Sequence, residues 1–355
     1  MNKKAFLTIA LLAVMTAACL LLNGCGMAGL KDEEVLNIYN WGEYMDPEVM
    51  EDFTAETGIE IKYEEFTTNE DMYTKMRTGV GKYDLIIPSD YMIERMIKEG
   101  RLNKINFDNI PNLKYIDPNL LNLSYDPNQE YSVPFTWGTV GIVYNTKYID
   151  LTEEEVDWDI LFDEKYSKQI LMSDSVRDSV GMALQYLGYS QNSRNPEELE
   201  EAKQLLIKQK DIVLAYVVDE VRDLMLAEEA LIALVWSGEG TLLEDEVDYI
   251  KYVLPRSGSN LWVDAMVIPE TAQNQDYAEQ FINYCCRPDI SARICDYIGY
   301  ATPSQAAKDQ LDPELTSNFN AYPDAEYIEN KTEMFNDPSD FLEEYDRIWT
   351  EIFSS

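Results

Sequence analysis

Two aspartates and a set of aromatic side chains stand where short apolar runs end, and together they suit a chain of methylenes bearing ammonium groups. Trp41 and Tyr44 follow one run, Ser89 and Tyr91 a second, Asp178 a third and Trp236 a fourth. Trp262 and Asp264 alternate within Leu261–Met266, and Tyr300 completes the group. Methylenes favour apolar ring faces, and each cationic nitrogen favours a carboxylate and a ring nearby. A cation–π contact contributes roughly 0.5–2 kcal/mol and a charge-assisted hydrogen bond roughly 1.5–3 kcal/mol. Two or three such points together reach about −8 kcal/mol, a micromolar dissociation constant. Each residue also has a plainer use. Trp and Tyr near strand ends commonly pack at rims, and Asp174 or Ser175 is placed to cap the helix that follows. Asp264 is harder to explain by packing, because a buried carboxylate needs a partner and Arg and Lys are scarce in these loops.

The rest of the composition narrows the chemistry. No histidine occurs in the 355 residues, which removes the commonest general base, the Ser-His and Cys-His pairs and nearly all ordinary zinc sites. A hydrolase built on paired carboxylates remains open. No cofactor and no metal site are expected. Asp and Glu number 66 against 28 Lys and Arg, a formal charge of −38. Such a field repels nucleic acid and attracts cations, although in most acidic proteins it serves solubility.

The chain begins with an export signal. Lys3 and Lys4 precede an uncharged run from Ala5 to Leu22. That run ends in Leu22-Asn23-Gly24-Cys25, which resembles the bacterial lipobox, where the cysteine receives a diacylglycerol and becomes the new N-terminus. Two acyl chains suffice for stable anchoring. An uncleaved transmembrane anchor is the alternative. Residues 1–24 are therefore expected as signal peptide and 25–34 as tether. Cys285, Cys286 and Cys295 are an odd set without metal-ligand spacing. Burial as small apolar residues is their default, and a bridge to Cys295 stays open.

These residues need a scaffold, and the pattern supplies an α/β one. Leu36–Tyr39 reads as a strand, Asp46-Pro47 opens a helix that Gly58 ends, and Ile59–Phe66 alternates as a strand. Asn69–Arg77 follows as a helix, Asp84–Pro88 as a buried parallel strand and Tyr91–Lys98 as a helix stopped at Gly100. A second series has strands at Ile170–Met172, Ile212–Val218 and Ala230–Trp236, with helices at Val176–Leu187, Glu197–Lys208 and Asp219–Glu229. Extended segments Trp137–Tyr144 and Tyr249–Ile268 suggest two lobes crossed by the chain more than once. Ligands of open α/β sheets bind outside the carboxyl ends of strands. The loops at Trp41–Tyr44, Ser89–Tyr91, Asp174–Asp178 and Trp236–Gly238 are therefore expected to meet in one cleft.

Several segments in order resemble the spermidine/putrescine-binding receptors of bacterial polyamine ABC importers. They are Tyr39-Asn40-Trp41-Gly42-Glu43-Tyr44, Tyr83-Asp84-Leu85 with Pro88-Ser89, Tyr131-Ser132-Val133-Pro134, Trp236-Ser237-Gly238, Trp262-Val263-Asp264 and Ile298-Gly299-Tyr300-Ala301-Thr302-Pro303. The resemblance runs from about Leu36 to the C-terminus. It implies a type II periplasmic-binding-protein fold that closes on its ligand, each lobe a mainly parallel sheet flanked by helices. The lobes are expected at 35–139 plus 263–308 and at 140–262 plus 309–355. It also implies an aromatic box of Trp41, Tyr44, Tyr91, Trp236, Trp262 and Tyr300, a polar contact from Ser89, and amine contacts from Asp178 and Asp264. Gly42 stands where that family has a hydroxyl residue, Ser175 where it has a carboxylate, Phe335 where it has a glutamine, and Asp178 is shorter than the expected glutamate.

The expectation is a monomeric, non-enzymatic receptor, lipid-anchored outside the cytoplasmic membrane, that hands a polyamine to ABC permease subunits and binds no nucleic acid. With polar groups removed at one end of the cleft, putrescine is expected to bind at least as well as spermidine. The rivals are a receptor of the same fold for ferric ion or an oligosaccharide, and a carboxylate-pair glycosidase.

Overall fold

The computed structural model describes residues 34–218, 220–338 and 341–354; the export signal, Cys25 and the tether up to residue 33 lie outside the described residues. Strand β1 (Val35–Trp41) is followed by helix α1 (Pro47–Thr57). Asp46 caps this helix by accepting from the Glu48 N–H, and Gly58 ends it at φ 79°. Strand β2 (Glu60–Phe66), helix α2 (Asn69–Thr78), strand β3 (Leu85–Ile86) and helix α3 (Asp90–Lys98) continue the series, and β4 (Leu102–Asn103) is a short edge piece. The apolar run at Asp84–Pro88 contributes only two residues to the sheet.

The long strand β5 (Ser132–Asn145) is buried throughout. After it come β6 (Ile170–Ser173), α4 (Val176–Tyr186), α5 (Pro196–Lys210), β7 (Val213–Val217), α6 (Val221–Leu226), β8 (Ile232–Trp236), α7 (Ser237–Glu246), β9 (Ile250–Val253) and β10 (Ser259–Pro269). Helix α6 is shorter than the pattern at Asp219–Glu229 suggests. Helices α8 (Gln275–Cys285) and α9 (Pro288–Ile298) precede the C-terminal helix Leu342–Ser354.

Eight of the described strands form one path, β2-β1-β3-β10-β5-β8-β6-β7, with β4 paired to β10 and β9 to β5 beside it. β1, β2 and β3 run parallel to one another, as do β6, β7 and β8. β10 pairs antiparallel with β3 and β5, and β5 antiparallel with β8. Each parallel triplet is covered on both faces. Leu36, Ile38, Leu85 and Ile87 pack on the side of Phe53 and Phe281, whereas Tyr39 and Ile86 pack on the side of Met72 and Met92. This is the period-2 alternation of a strand with helices above and below. In the second triplet Ile170 and Met172 meet Val180 and Leu206, while Leu171, Ala233 and Val235 meet Val221 and Leu243. Leu311, Ala321, Tyr322 and Phe335 are buried with the Tyr39 cluster, and Ile348 and Ile352 with the Ile170 cluster. Cys285, Cys286 and Cys295 are buried free thiols, so the possible bridge is not formed. Among the described residues no helix is long and apolar enough to cross a membrane.

Candidate ligand-binding site

The carboxyl ends of β1, β2, β3, β6, β7 and β8 open onto a cavity of about 610 Å3, within the usual range for small-molecule sites. Trp41, Tyr44, Ser89, Tyr91, Asp178, Trp236, Trp262, Asp264 and Tyr300 all line it. The loops expected to converge do so, because parallel strands present their ends on one side of each sheet.

Three rings form a continuous wall. Tyr300 lies edge-on to Tyr44, with centroids 5.4 Å apart, and edge-on to Trp262 at 5.1 Å. The Tyr300 ring approaches α7 so closely that a Cβ on Gly238 would sit 2.4 Å from it. Trp41 tilts against Phe66 at 4.6 Å, and its indole N–H is buried without an acceptor among the described residues.

Asp264 sits on β10 just before a register shift in its pairing with β5. Its Oδ2 accepts from the Tyr44 hydroxyl at 2.9 Å, and the Thr136 hydroxyl stands 2.5 Å from the same phenol oxygen. Since the Tyr44 proton is committed to Asp264, Thr136 is the donor in that second bond. Asp264 Oδ1 is buried and has no hydrogen-bond partner among the described residues. Burial pushes this carboxyl up to about 7, against the lowering effect of the nearby Ser89 and Tyr44 hydroxyls, and the neighbouring Asp178 raises it further. Asp178 lies in the first turn of α4, whose cap is Ser175 accepting from the Asp178 N–H. Burial raises the Asp178 carboxyl to about 6, opposed by Ser175, Arg177 and Trp236.

Asn69 fixes two of the polar lining groups. Its Nδ2 donates to Ser89 Oγ at 3.1 Å and to the Tyr91 hydroxyl at 3.0 Å, and its Oδ1 accepts from the Ser89 N–H at 3.2 Å. The Tyr91 hydroxyl donates in turn to Glu70 Oε1 at 3.1 Å, and burial raises the Glu70 carboxyl. Asp90 ties α3 to β10 through the Tyr91 and Val263 N–H groups. Asn69, Glu70, Thr136 and Arg177 are site residues that the sequence pattern did not single out. Thr67-Thr68-Asn69 reads as a helix start, and Thr68 is indeed the α2 cap; yet the strand-end rule applies to β2 as it does to β1. A Cβ on Gly42 would meet nothing within 4 Å, Ser175 is used as a cap, and Phe335 packs edge-on to Tyr91 at 6.5 Å.

The model of the bacterial extracellular solute-binding protein family matches residues 48–326, and the chain belongs to that family. It is 36% identical over 339 residues to the spermidine/putrescine-binding periplasmic protein of Salmonella typhimurium, spanning 95% of this chain and 97% of that one. Identity to the protein of the same name from Escherichia coli is also 36%, over 93% and 96% of the two chains. Among solved structures, the spermidine/putrescine ABC transporter substrate-binding protein PotD of Streptococcus pneumoniae superposes with a TM-score of 0.79 at 38% identity. The TpPotD lipoprotein of Treponema pallidum does so with 0.80 at 27%. Each superposition covers 90% of this chain and 99% of the other. The α/β, two-lobed periplasmic-binding-protein fold expected from the sequence is the fold observed.

Proposed function

We propose that this chain is the extracytoplasmic receptor of a bacterial ABC importer for polyamines, holding putrescine or spermidine in its cleft without chemical change. The observation that carries the reading is Asp264, a buried carboxylate with Oδ1 unpartnered among the described residues, facing a cavity walled by Tyr44, Trp262 and Tyr300. An ammonium group supplies the missing donor and counter-charge, and the rings take its methylenes. Asp178 is the second anionic contact and Ser89 a polar one. The names of the relatives support the same ligand class. A ferric site would need converging tyrosine phenolates, whereas here the Tyr44 hydroxyl is committed to Asp264 and the Tyr91 hydroxyl to Glu70. A thermal-shift screen with polyamines, amino acids, sugars and ferric ion tests this. Polyamines are expected to raise Tm, with micromolar affinity in follow-up calorimetry; a response to sugars or iron alone would overturn it.

The proposed division is 35–139 plus 263–308 and 140–262 plus 309–355, except that the stretch carrying Leu311 and Phe335 packs on the first lobe before the C-terminal helix seats on the second. The two are joined where β5 and β10 pass from one parallel triplet to the other. Closure of the lobes would exclude water and strengthen the ammonium–carboxylate contacts, and ABC permease subunits would recognise the closed form of the monomer. A thioether-linked lipid on Cys25 would hold the receptor at the outer face of the membrane. The Leu22–Cys25 motif supports this, as does a relative named as a lipoprotein. Cys25→Ala is expected to abolish labelling by a palmitate analogue and to block signal cleavage; continued labelling would refute the anchor.

A further inference from the structure

Arg177 lines the same cavity, one residue before Asp178, and is only 5% exposed. Its guanidinium carbon stands 4.4 Å from the Phe335 ring centroid, 4.7 Å from that of Tyr345 and 5.7 Å from that of Tyr91. Nη2 donates to Asn192 Oδ1 at 3.3 Å and to the Asn336 carbonyl at 3.4 Å, while the buried Nε has no acceptor among the described residues. It forms no ion pair with a described residue. Glu70, Asp90 and Asp178 feel its charge only through space.

A buried cation needs a counter-charge or ring faces, and here three rings take that part. They do so where Ser175 is spent on capping α4 and Phe335 offers no polar atom. This end of the cleft thus presents a fixed positive charge and occupied ring faces, and the Glu70 carboxylate beside it is engaged by the Tyr91 hydroxyl and disfavoured as an anion by burial. Like charges repel strongly where water is excluded, and an ammonium without an acceptor is costly to desolvate.

We propose that Arg177 is a specificity-determining residue that sets how many charges the ligand can carry. It takes the ring faces that a third ammonium would use, and so confines the cleft to a diamine held between Asp178 and Asp264. The inference rests on the polyamine reading above and deepens it.

Calorimetry of putrescine and spermidine at one salt concentration tests it in the wild-type protein, in Arg177→Met and in Arg177→Lys. Met keeps an apolar stem on the rings without the charge, and Lys keeps a charge. The wild type is expected to bind putrescine at least as tightly as spermidine. Arg177→Met is expected to shift the affinity ratio toward spermidine by about tenfold or more, and Arg177→Lys to leave it near the wild-type value. An unchanged ratio in Arg177→Met, or a wild type that prefers spermidine by more than about tenfold, would overturn the proposal. Should Arg177→Met fail to fold, the wild type alone decides. N1-acetylspermidine keeps the chain but loses the third charge, so it is expected to bind more tightly than spermidine; the reverse order overturns the proposal. Wild-type protein that binds neither polyamine would instead sink the receptor reading itself, which these titrations separate from an altered ratio between two measurable affinities.

Discussion

Asp264→Asn is expected to weaken polyamine binding by about 2–5 kcal/mol, a loss of tenfold at the very least. The substitution preserves the size of the side chain and the bond from the Tyr44 hydroxyl, so the fold has no reason to change. What disappears is the counter-charge to an ammonium that closure strips of water, and an ion left unpaired in a low dielectric carries most of that cost. In the empty protein the effect has the opposite sign. Asp264 is buried with one oxygen unpartnered among the described residues, and its raised pKa records how poorly the site holds the charge before ligand arrives. The ligand-free Asn variant should therefore melt at or above the wild-type temperature while binding poorly, as happens where a site is built for function at the expense of stability. Calorimetry gives the affinity and circular dichroism the melting temperature. An unchanged affinity would place the charge partner elsewhere.

Affinity should also depend steeply on pH. In the empty cleft the Asp264 and Asp178 carboxyls titrate near 7 and 6, whereas a bound dication holds both ionised. Ligand amines stay charged throughout this range, with pKa values near those of lysine, roughly 10. The complex thus carries fewer protons than the empty protein at pH 5–7. Binding must therefore strengthen as pH rises through this window and level off near pH 8. Treated as independent, groups with these values give a loss of about a thousandfold between pH 8 and pH 5. Stability of the empty protein runs the other way. Each carboxyl has a folded pKa above its unfolded value, so its contribution is greatest below the unfolded pKa and is lost as pH rises through about 6 to 7. Ligand-induced shifts in Tm should accordingly grow from pH 5.5 to pH 8. Titrations near pH 6.5 in buffers of different ionisation enthalpy should report proton release on binding. A pH-independent affinity would mean that neither carboxylate meets an amine.

Much of the scaffold was legible because its signals are local. Asp46-Pro47 and Gly58 mark the ends of a helix through a hydrogen-bonding cap and a left-handed turn, chemistry that needs no tertiary contact. The apolar runs at β1, β6 and β8 declare strands buried on both faces, and the residues just beyond them therefore fall at strand ends, where a parallel sheet places its ligands. That reasoning suffices for Trp41, Tyr44, Ser89, Tyr91, Asp178 and Trp236. Trp262 and Asp264 follow from strand alternation, which sets both on one face of β10. Glu70 stayed hidden because Thr67-Thr68-Asn69 reads as a helix start, which it is, and the cap signal masks the strand end beside it.

Arg177 belongs to the part that only the tertiary structure decided. Consecutive helical positions point about 100° apart, so the neighbouring Asp178 gives no ground for expecting both side chains at the cavity. Both reach it because the first turn of α4 stands at the cavity edge, and because Phe335 and Tyr345, far along the chain, supply the rings on which the guanidinium rests. The joining of two parallel triplets through β5 and β10 has the same character. Each strand is legible as extended, but their antiparallel pairing is a contact between distant segments, and no local propensity encodes its partner or its register.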